Sequence, residues 1–346
     1  MKKKIFFVLS TNGYSGAEAV NISIIENLKE EFEFFWVSRN GEIVDILKEK
    51  NIKWIEIKEL SLKEIKRVCK EYKPEVVHAT DYKASVICSL IKKNFKLISH
   101  LHNNSPWLKK YSLYSFIFLL ASLRFNKILT VSKSIESEYV FSKFIKNKII
   151  NVGNPVSREK ILSQVNNNDY KKRYDICCIA RVTKQKNPFK FIQIIKTIKH
   201  EKPDIKVLWI GAYGELKEEC IKLCKKYDIF NNIDFLGFQK NPYKLLASSK
   251  IFVLTSDWEG YGLVAFEALT LGIPCVVSKV GGLVDIVDDT CGKLCNINKI
   301  EDYDIILEIL NDNCLYQNLS KGAIEKSKKL DNIGKYIEII RNLYNT

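Results

Sequence analysis

Short apolar runs recur along this chain, separated by longer amphipathic segments. Ile5–Leu9, Phe32–Val37, Trp54–Ile57, Val76–His78, Lys96–Leu101, Ile128–Val131 and Ile149–Val152 read as strands. Segments between them, such as Ala17–Glu30 and Lys83–Ile91, carry helical spacing. Strands that are apolar throughout are buried on both faces, so this alternation predicts a parallel sheet covered by helices. The pattern pauses over residues 156–172. That stretch is polar, with Ser157, Asn166, Asn167, Asn168 and Asp169, and reads as a linker. It then restarts with strands at Ile176–Ala180, Lys206–Ile210, Ile233–Leu236, Ile251–Leu254 and Cys275–Ser278. Helices at Phe189–Lys199, Leu216–Lys225, Pro242–Ala247 and Gly262–Leu271 alternate with them, and helical patterns fill the chain from Glu301 onward. The expected architecture is α/β, with one doubly wound domain over residues 1–155, a linker over 156–172 and a second domain over 173–330. In such sheets the ligand lies beyond the carboxyl ends of the strands.

Composition narrows the class. Hydrophobic residues make up 46% and charged residues 27%, which is globular usage and excludes a disordered chain. The ten cysteines come with no expected secretory signal, because Thr11-Asn12-Gly13 cuts short the apolar run after Leu9. They read as reduced, buried thiols of a cytoplasmic protein. The pairs Cys220/Cys224 and Cys291/Cys295 have no histidine nearby, and core residues are the better reading than a metal site. No apolar stretch reaches the ~18–20 residues that a membrane span needs. Tyr111–Leu123 comes nearest.

The net charge is +15, and it is uneven. Residues 92–155 hold 11 basic and 2 acidic side chains, a net of +9. An anionic partner is implied. With the aromatic and aliphatic run Tyr111–Leu123 in the same stretch, an anionic membrane surface fits better than nucleic acid, for which no motif is present.

The chemistry is concentrated in one segment, Asp257-Trp258-Glu259-Gly260-Tyr261-Gly262-Leu263-Val264-Ala265-Phe266-Glu267. It follows a predicted strand and opens a predicted helix. The free N–H groups of a glycine turn and a helix start suit a diphosphate. A carboxylate on that helix can accept hydrogen bonds from a vicinal diol such as a ribose. Val280-Gly281-Gly282-Leu283-Val284-Asp285 presents a second glycine turn. Arg181 and Lys186, after the first strand of the second half, can reach the same anion. Gly13-Tyr14-Ser15-Gly16-Ala17-Glu18 opens the first half with a similar turn. No G-x-G-x-x-G occurs, so a dinucleotide site is not expected.

These motifs resemble glycosyltransferase family 4. Glu259-Gly260-Tyr261-Gly262 with Glu267 matches its paired-glutamate signature. Ala180-Arg181 with Lys186-Asn187 matches its G-R…K-G motif with both glycines replaced. Ser15-Gly16-Ala17-Glu18, Pro74-Glu75-Val76-Val77-His78, Val131-Ser132-Lys133-Ser134, Gly272-Ile273-Pro274 and Gly281-Gly282-x-x-Asp285 match further stretches. The resemblance implies a GT-B fold, two Rossmann-like domains facing a central cleft, with a C-terminal helix over 331–346 packing back on the N-terminal domain. It implies retaining transfer of a hexose-type residue from a nucleotide-sugar donor, UDP before GDP, to a glycan or lipid-linked glycan precursor of the cell envelope. The donor site would comprise Gly16, Arg181, Lys186, Glu259, Gly260, Tyr261, Gly262, Leu263 and Glu267. Within it Glu267 would bind the ribose, Glu259 and the glycine turn the sugar, and Arg181 and Lys186 the leaving diphosphate. His102 would touch the donor sugar, with His100 the competing assignment. The catalytic set would be Glu259, His102, Arg181 and Lys186, with no metal cofactor, and the protein would work peripherally at the inner face of the cell membrane. Two other classes compete: a GT-B sugar-nucleotide epimerase, and a non-catalytic basic membrane-binding protein.

Overall fold

The computed structural model describes residues 2–91, 94–165, 173–296 and 298–346. They form two compact units. The first comprises Met1–Pro155 and Asn332–Thr346, the second Val156–Asp331.

The first unit is built on seven strands. They are β1 (Lys4–Val8), β2 (Glu33–Ser38), β3 (Lys53–Glu56), β4 (Val76–Thr80), β5 (Lys96–Leu101), β6 (Lys127–Thr130) and β7 (Ile149–Asn151). All pairings are parallel, in the order β3-β2-β1-β4-β5-β6-β7. The central strands are apolar on both faces because helices cover both. Ile5, Phe6, Phe7 and Val8 are wholly buried. Helix Gly16–Leu28 follows β1, and helix Asp81–Ile91 follows β4. The apolar stretch at Tyr111–Leu123 forms helix Leu113–Ser122, started by a reciprocal capping box between Ser112 and Ser115. Among the described residues no helix is long and apolar enough to cross a membrane. The last helix, Ile333–Asn345, belongs to this unit and lies against Gly16–Leu28. Its Tyr336, Ile340 and Tyr344 are buried there.

The second unit holds β8 (Tyr174–Ile179), β9 (Val207–Ile210), β10 (Ile233–Phe235), β11 (Ser249–Leu254), β12 (Cys275–Ser278) and β13 (Gly292–Cys295). This sheet is also wholly parallel, in the order β10-β9-β8-β11-β12-β13. Edge strand β13 has no counterpart in the hydrophobic pattern, since Gly292-Lys293-Leu294-Cys295 has one exposed lysine and no apolar run. Cys220, Cys224, Cys291 and Cys295 are buried core residues.

The stretch expected as a linker, 156–172, is not simply one. Its first part forms helix Arg158–Leu162, which packs on helix Leu263–Thr270 and belongs to the second unit. Arg158 donates to the Ile324 carbonyl and the Ser327 hydroxyl, fastening this helix to Asn313–Leu330. Residues 166–172 lie outside the described residues.

Candidate active site

Strand order decides where a doubly wound sheet opens. In the second unit the chain runs from β8 outward through β9 to β10, then returns and runs outward the other way from β11 to β13. The order reverses between β8 and β11, the position at which doubly wound sheets bind their ligands. The loops leaving both strands carry candidate residues. Arg181–Asn187 follows β8, and Thr255–Gly262 follows β11.

Backbone and side chains lock the two loops together. The Asp257 N–H donates to the Gln185 carbonyl (2.9 Å), and Gln185 Nε2 returns a bond to the Trp258 carbonyl (3.1 Å). Thr255 Oγ1 donates to the Lys186 and Asn187 carbonyls. Asn187 adopts left-handed backbone geometry with φ 45°. Its side chain accepts from Lys190 N to cap helix Pro188–Glu201 and donates to Asp257 Oδ1 (2.8 Å). Asparagine tolerates that conformation best among residues with a Cβ. It can therefore stand where the resembling family has glycine, and it adds two hydrogen bonds.

The paired glutamates have different surroundings. Glu259 forms an ion pair with Lys186 and accepts from Ser256 Oγ (3.3 Å). Each side chain of the pair is only 13% exposed, so each charge depends on the other for compensation. Glu267 sits in the second turn of Leu263–Thr270, partly buried, with the Tyr243 hydroxyl at 3.4 Å. Burial pushes its pKa from 4.5 up to about 7, against the pull of that hydroxyl. Arg181 is exposed, and its charge reaches Glu215.

The glycines explain how the turn is held. Gly262 caps the helix start at φ 97°, with Leu283 in the space a side chain would need. The Gly281-Gly282 turn lies directly on the backbone of residues 259–261. A Cβ on Gly281 would stand 1.7 Å from the Glu259 carbonyl oxygen. The Gly282 N–H donates to the Gly260 carbonyl (3.2 Å). Tyr261 is buried, and Leu263 opens the helix half-exposed.

In the first unit the order reverses between β1 and β4; of its candidates Gly16 follows β1 and His102 follows β5. Gly16 is the exposed first residue of its helix. Two residues on, buried Glu18 accepts from the Thr11 and Ser15 hydroxyls. Asp81 follows β4 at φ 62°, an uncommon geometry for a residue other than glycine. Its Oδ1 accepts from the His102 N–H (2.9 Å), and burial raises its pKa to about 6. His102 follows β5, its ring 3.8 Å from that of His100. Burial holds His102 at a pKa of about 3, so the ring is neutral. The structure thus gathers Arg181, Lys186, Glu259, Gly260, Tyr261, Gly262, Leu263 and Glu267 in the second unit, and Gly16 and His102 in the first. Sequence reasoning missed Asp81, Tyr243 and the Lys186–Glu259 pairing. Only Asp81, a polar residue immediately after a buried strand, carried a signal that could have found it.

The candidate residues are thus carried by two Rossmann-like halves. The model of the group 1 glycosyl transferases matches residues 159–326. An uncharacterised glycosyltransferase of Methanocaldococcus jannaschii is 31% identical over 77% of this chain and 71% of its own length. The chain belongs to the group 1 glycosyl transferases. An O-antigen biosynthesis glycosyltransferase of Escherichia coli, WbnH, is 27% identical over 94% of this chain and 95% of its own. Among solved structures, HepE of Anabaena in complex with UDP-glucose superposes with a TM-score of 0.85 over 99% of both chains at 18% identity. The fold is therefore GT-B.

Proposed function

We propose that this glycosyltransferase moves a hexose-type residue, with retention, from a UDP-sugar to a glycan or lipid-linked glycan precursor of the cell envelope. The observation that carries this reading is the Glu259–Gly262 turn and Glu267 at the order reversal of the second sheet. Arg181 and Lys186 belong to the loop that is hydrogen-bonded to that turn. Glu267 accepts the two ribose hydroxyls, and the 260–262 backbone donates to the diphosphate. As the glycosidic bond breaks, negative charge grows on the leaving UDP. Arg181 and Lys186 stabilise that charge, so the reaction needs no divalent cation. Glu259, oriented by Lys186 and Ser256, holds the sugar hydroxyls. By the same resemblance, His102 is assigned to the donor sugar and Gly16 to a phosphate or the acceptor. The acceptor hydroxyl attacks from the face the phosphate leaves, and the departing phosphate takes its proton. The UDP-glucose complex of HepE supports the choice of nucleotide, and the O-antigen relative supports an envelope acceptor.

The test is thermal shift with UDP, GDP, ADP and CMP, followed by turnover with sugars of the preferred nucleotide and NMR of the product's anomeric configuration. Selective stabilisation by UDP and an anomer matching the donor are expected. An inverted product would overturn retention, and preference for another nucleotide would overturn the donor.

The reading extends to an anionic membrane surface at the inner face of the cell membrane. Tyr111, Leu113, Leu123 and Phe144 are 82%, 71%, 74% and 78% exposed in the first unit. Tyr111, Phe116 and Phe144 each pack on Phe141, which makes the patch continuous. Exposed Lys110, Lys143 and Lys146 belong to the same segments. An apolar patch with cations around it suits the boundary between acidic headgroups and acyl chains.

A further inference from the structure

Three buried side chains of the first unit form a hydrogen-bonded chain that the proposed chemistry does not use. Tyr344, on the last helix, bonds through its hydroxyl to His78 Nδ1 at 2.7 Å. His78 Nε2 bonds to His100 Nδ1 at 2.9 Å. His78 and His100 are fully buried and Tyr344 is 1% exposed. The register places both histidines on one face of the sheet, since His78 lies opposite Ile98 and Thr80 opposite His100. Phe7, Phe32 and Phe34 pack around the chain. Burial keeps both rings neutral, so each carries a single N–H.

Hydrogen counting gives the chain a direction. If Tyr344 donates, His78 accepts at Nδ1 and carries its proton on Nε2. It then donates to His100 Nδ1, and His100 carries its proton on Nε2. Every donor but the last is satisfied. In the opposite direction the Tyr344 O–H would have no acceptor, and His100 Nε2 would be an unpaired acceptor as well. Each direction leaves one buried donor unpaired, but the second leaves a buried acceptor unpaired as well, so the first costs less. His100 Nε2 has no hydrogen-bond partner among the described residues. It sits beside the His102 ring, where the loop after β5 begins.

We infer that Tyr344 is a positioning residue that fixes the tautomer of His78 and His100, so that His100 keeps an oriented Nε2–H on the buried side of His102, the residue assigned to the donor sugar. The substrate half of this inference rests on the glycosyltransferase reading. The tautomer half does not.

The protein has four histidines, so selective ¹⁵N-histidine labelling resolves them, with His102→Asn and His200→Gln used for assignment. In the wild type, His78 and His100 are expected to show pyridine-like Nδ1 and pyrrole-like Nε2. In Tyr344→Phe, which keeps the ring and removes only the hydroxyl, both are expected to become tautomer mixtures. Turnover is expected to fall about tenfold, the equivalent of one hydrogen bond, with the donor KM little changed. A protonated Nδ1 on His100 in the wild type would overturn the inference, and that spectrum stands even if the variant fails to fold. Unchanged tautomers in a folded Tyr344→Phe protein would also overturn it. Wild-type protein that shows the expected tautomers but turns over no nucleotide sugar would refute the functional reading and leave the tautomer assignment standing.

Discussion

At the scale of single residues, the two glutamates of the signature are expected to behave differently. Burial strengthens the hold of the Glu267 carboxyl on its proton. Its pKa rises from 4.5 to about 7, so the folded state keeps a proton that the unfolded state releases. Its stabilising contribution is complete below pH 4.5 and is lost as pH rises through about 7. The stability difference between wild type and Glu267→Gln, read by urea denaturation, should therefore shift against the wild type across that window. Asp81, raised in the same direction, cancels in the comparison. UDP affinity of the wild type should increase over the same range, because the ionised carboxylate is the form proposed to accept both ribose hydroxyls. Glu267→Gln should bind roughly tenfold more weakly at pH 8 and show no such rise. Glu259 is instead compensated by Lys186. Lys186→Met leaves a nearly buried carboxylate unpaired and should lower the melting temperature, whereas Arg181→Met, at an exposed position, should leave it unchanged. Adding Glu259→Gln to Lys186→Met should restore much of the stability and none of the turnover.

At the scale of elements, the site depends on one glycine turn lying on another. Gly281→Ala would put a methyl against the Glu259 carbonyl at a backbone φ of 53°. It should cost about 2–4 kcal/mol in chemical denaturation and weaken UDP binding together with it. Asn187→Gly should be milder, because glycine accepts the same φ and the loss is confined to the side-chain cap and the bond to Asp257. These elements also show what the sequence can reveal. Strands β1, β11 and β12 carry continuous apolar runs, legible because both faces are buried. Strand β13 is a short edge with an outward lysine, and its pairing with β12 is written only in three dimensions. Helix Arg158–Leu162 hides in a polar stretch because its partners, Leu263–Thr270 and Asn313–Leu330, lie a hundred residues or more further on. The Glu259-x7-Glu267 spacing was legible because it lies within one loop and helix. The Lys186–Glu259 pair spans two loops, and no local pattern encodes it.

At the scale of the whole molecule, the basic excess and the exposed aromatic patch fall on the same unit. Sedimentation with vesicles rich in anionic lipid should carry the protein down, and neutral vesicles should not. Raising the salt should weaken the binding. Leu113→Asp with Phe144→Asp should abolish it while leaving UDP affinity intact, which would separate docking from donor binding. The division of the chain has another consequence, for the order in which the protein is made. The second unit is one continuous stretch and can finish folding once residue 331 has left the ribosome. The first unit begins earlier and ends later, since its sheet waits for Ile333–Asn345, and His78 waits for Tyr344. During synthesis the nascent first unit therefore exposes the apolar surface that this helix will cover. It is the half of the enzyme most in need of a chaperone, and a chain cut short just after residue 331 would carry a complete second unit and an unfinished first.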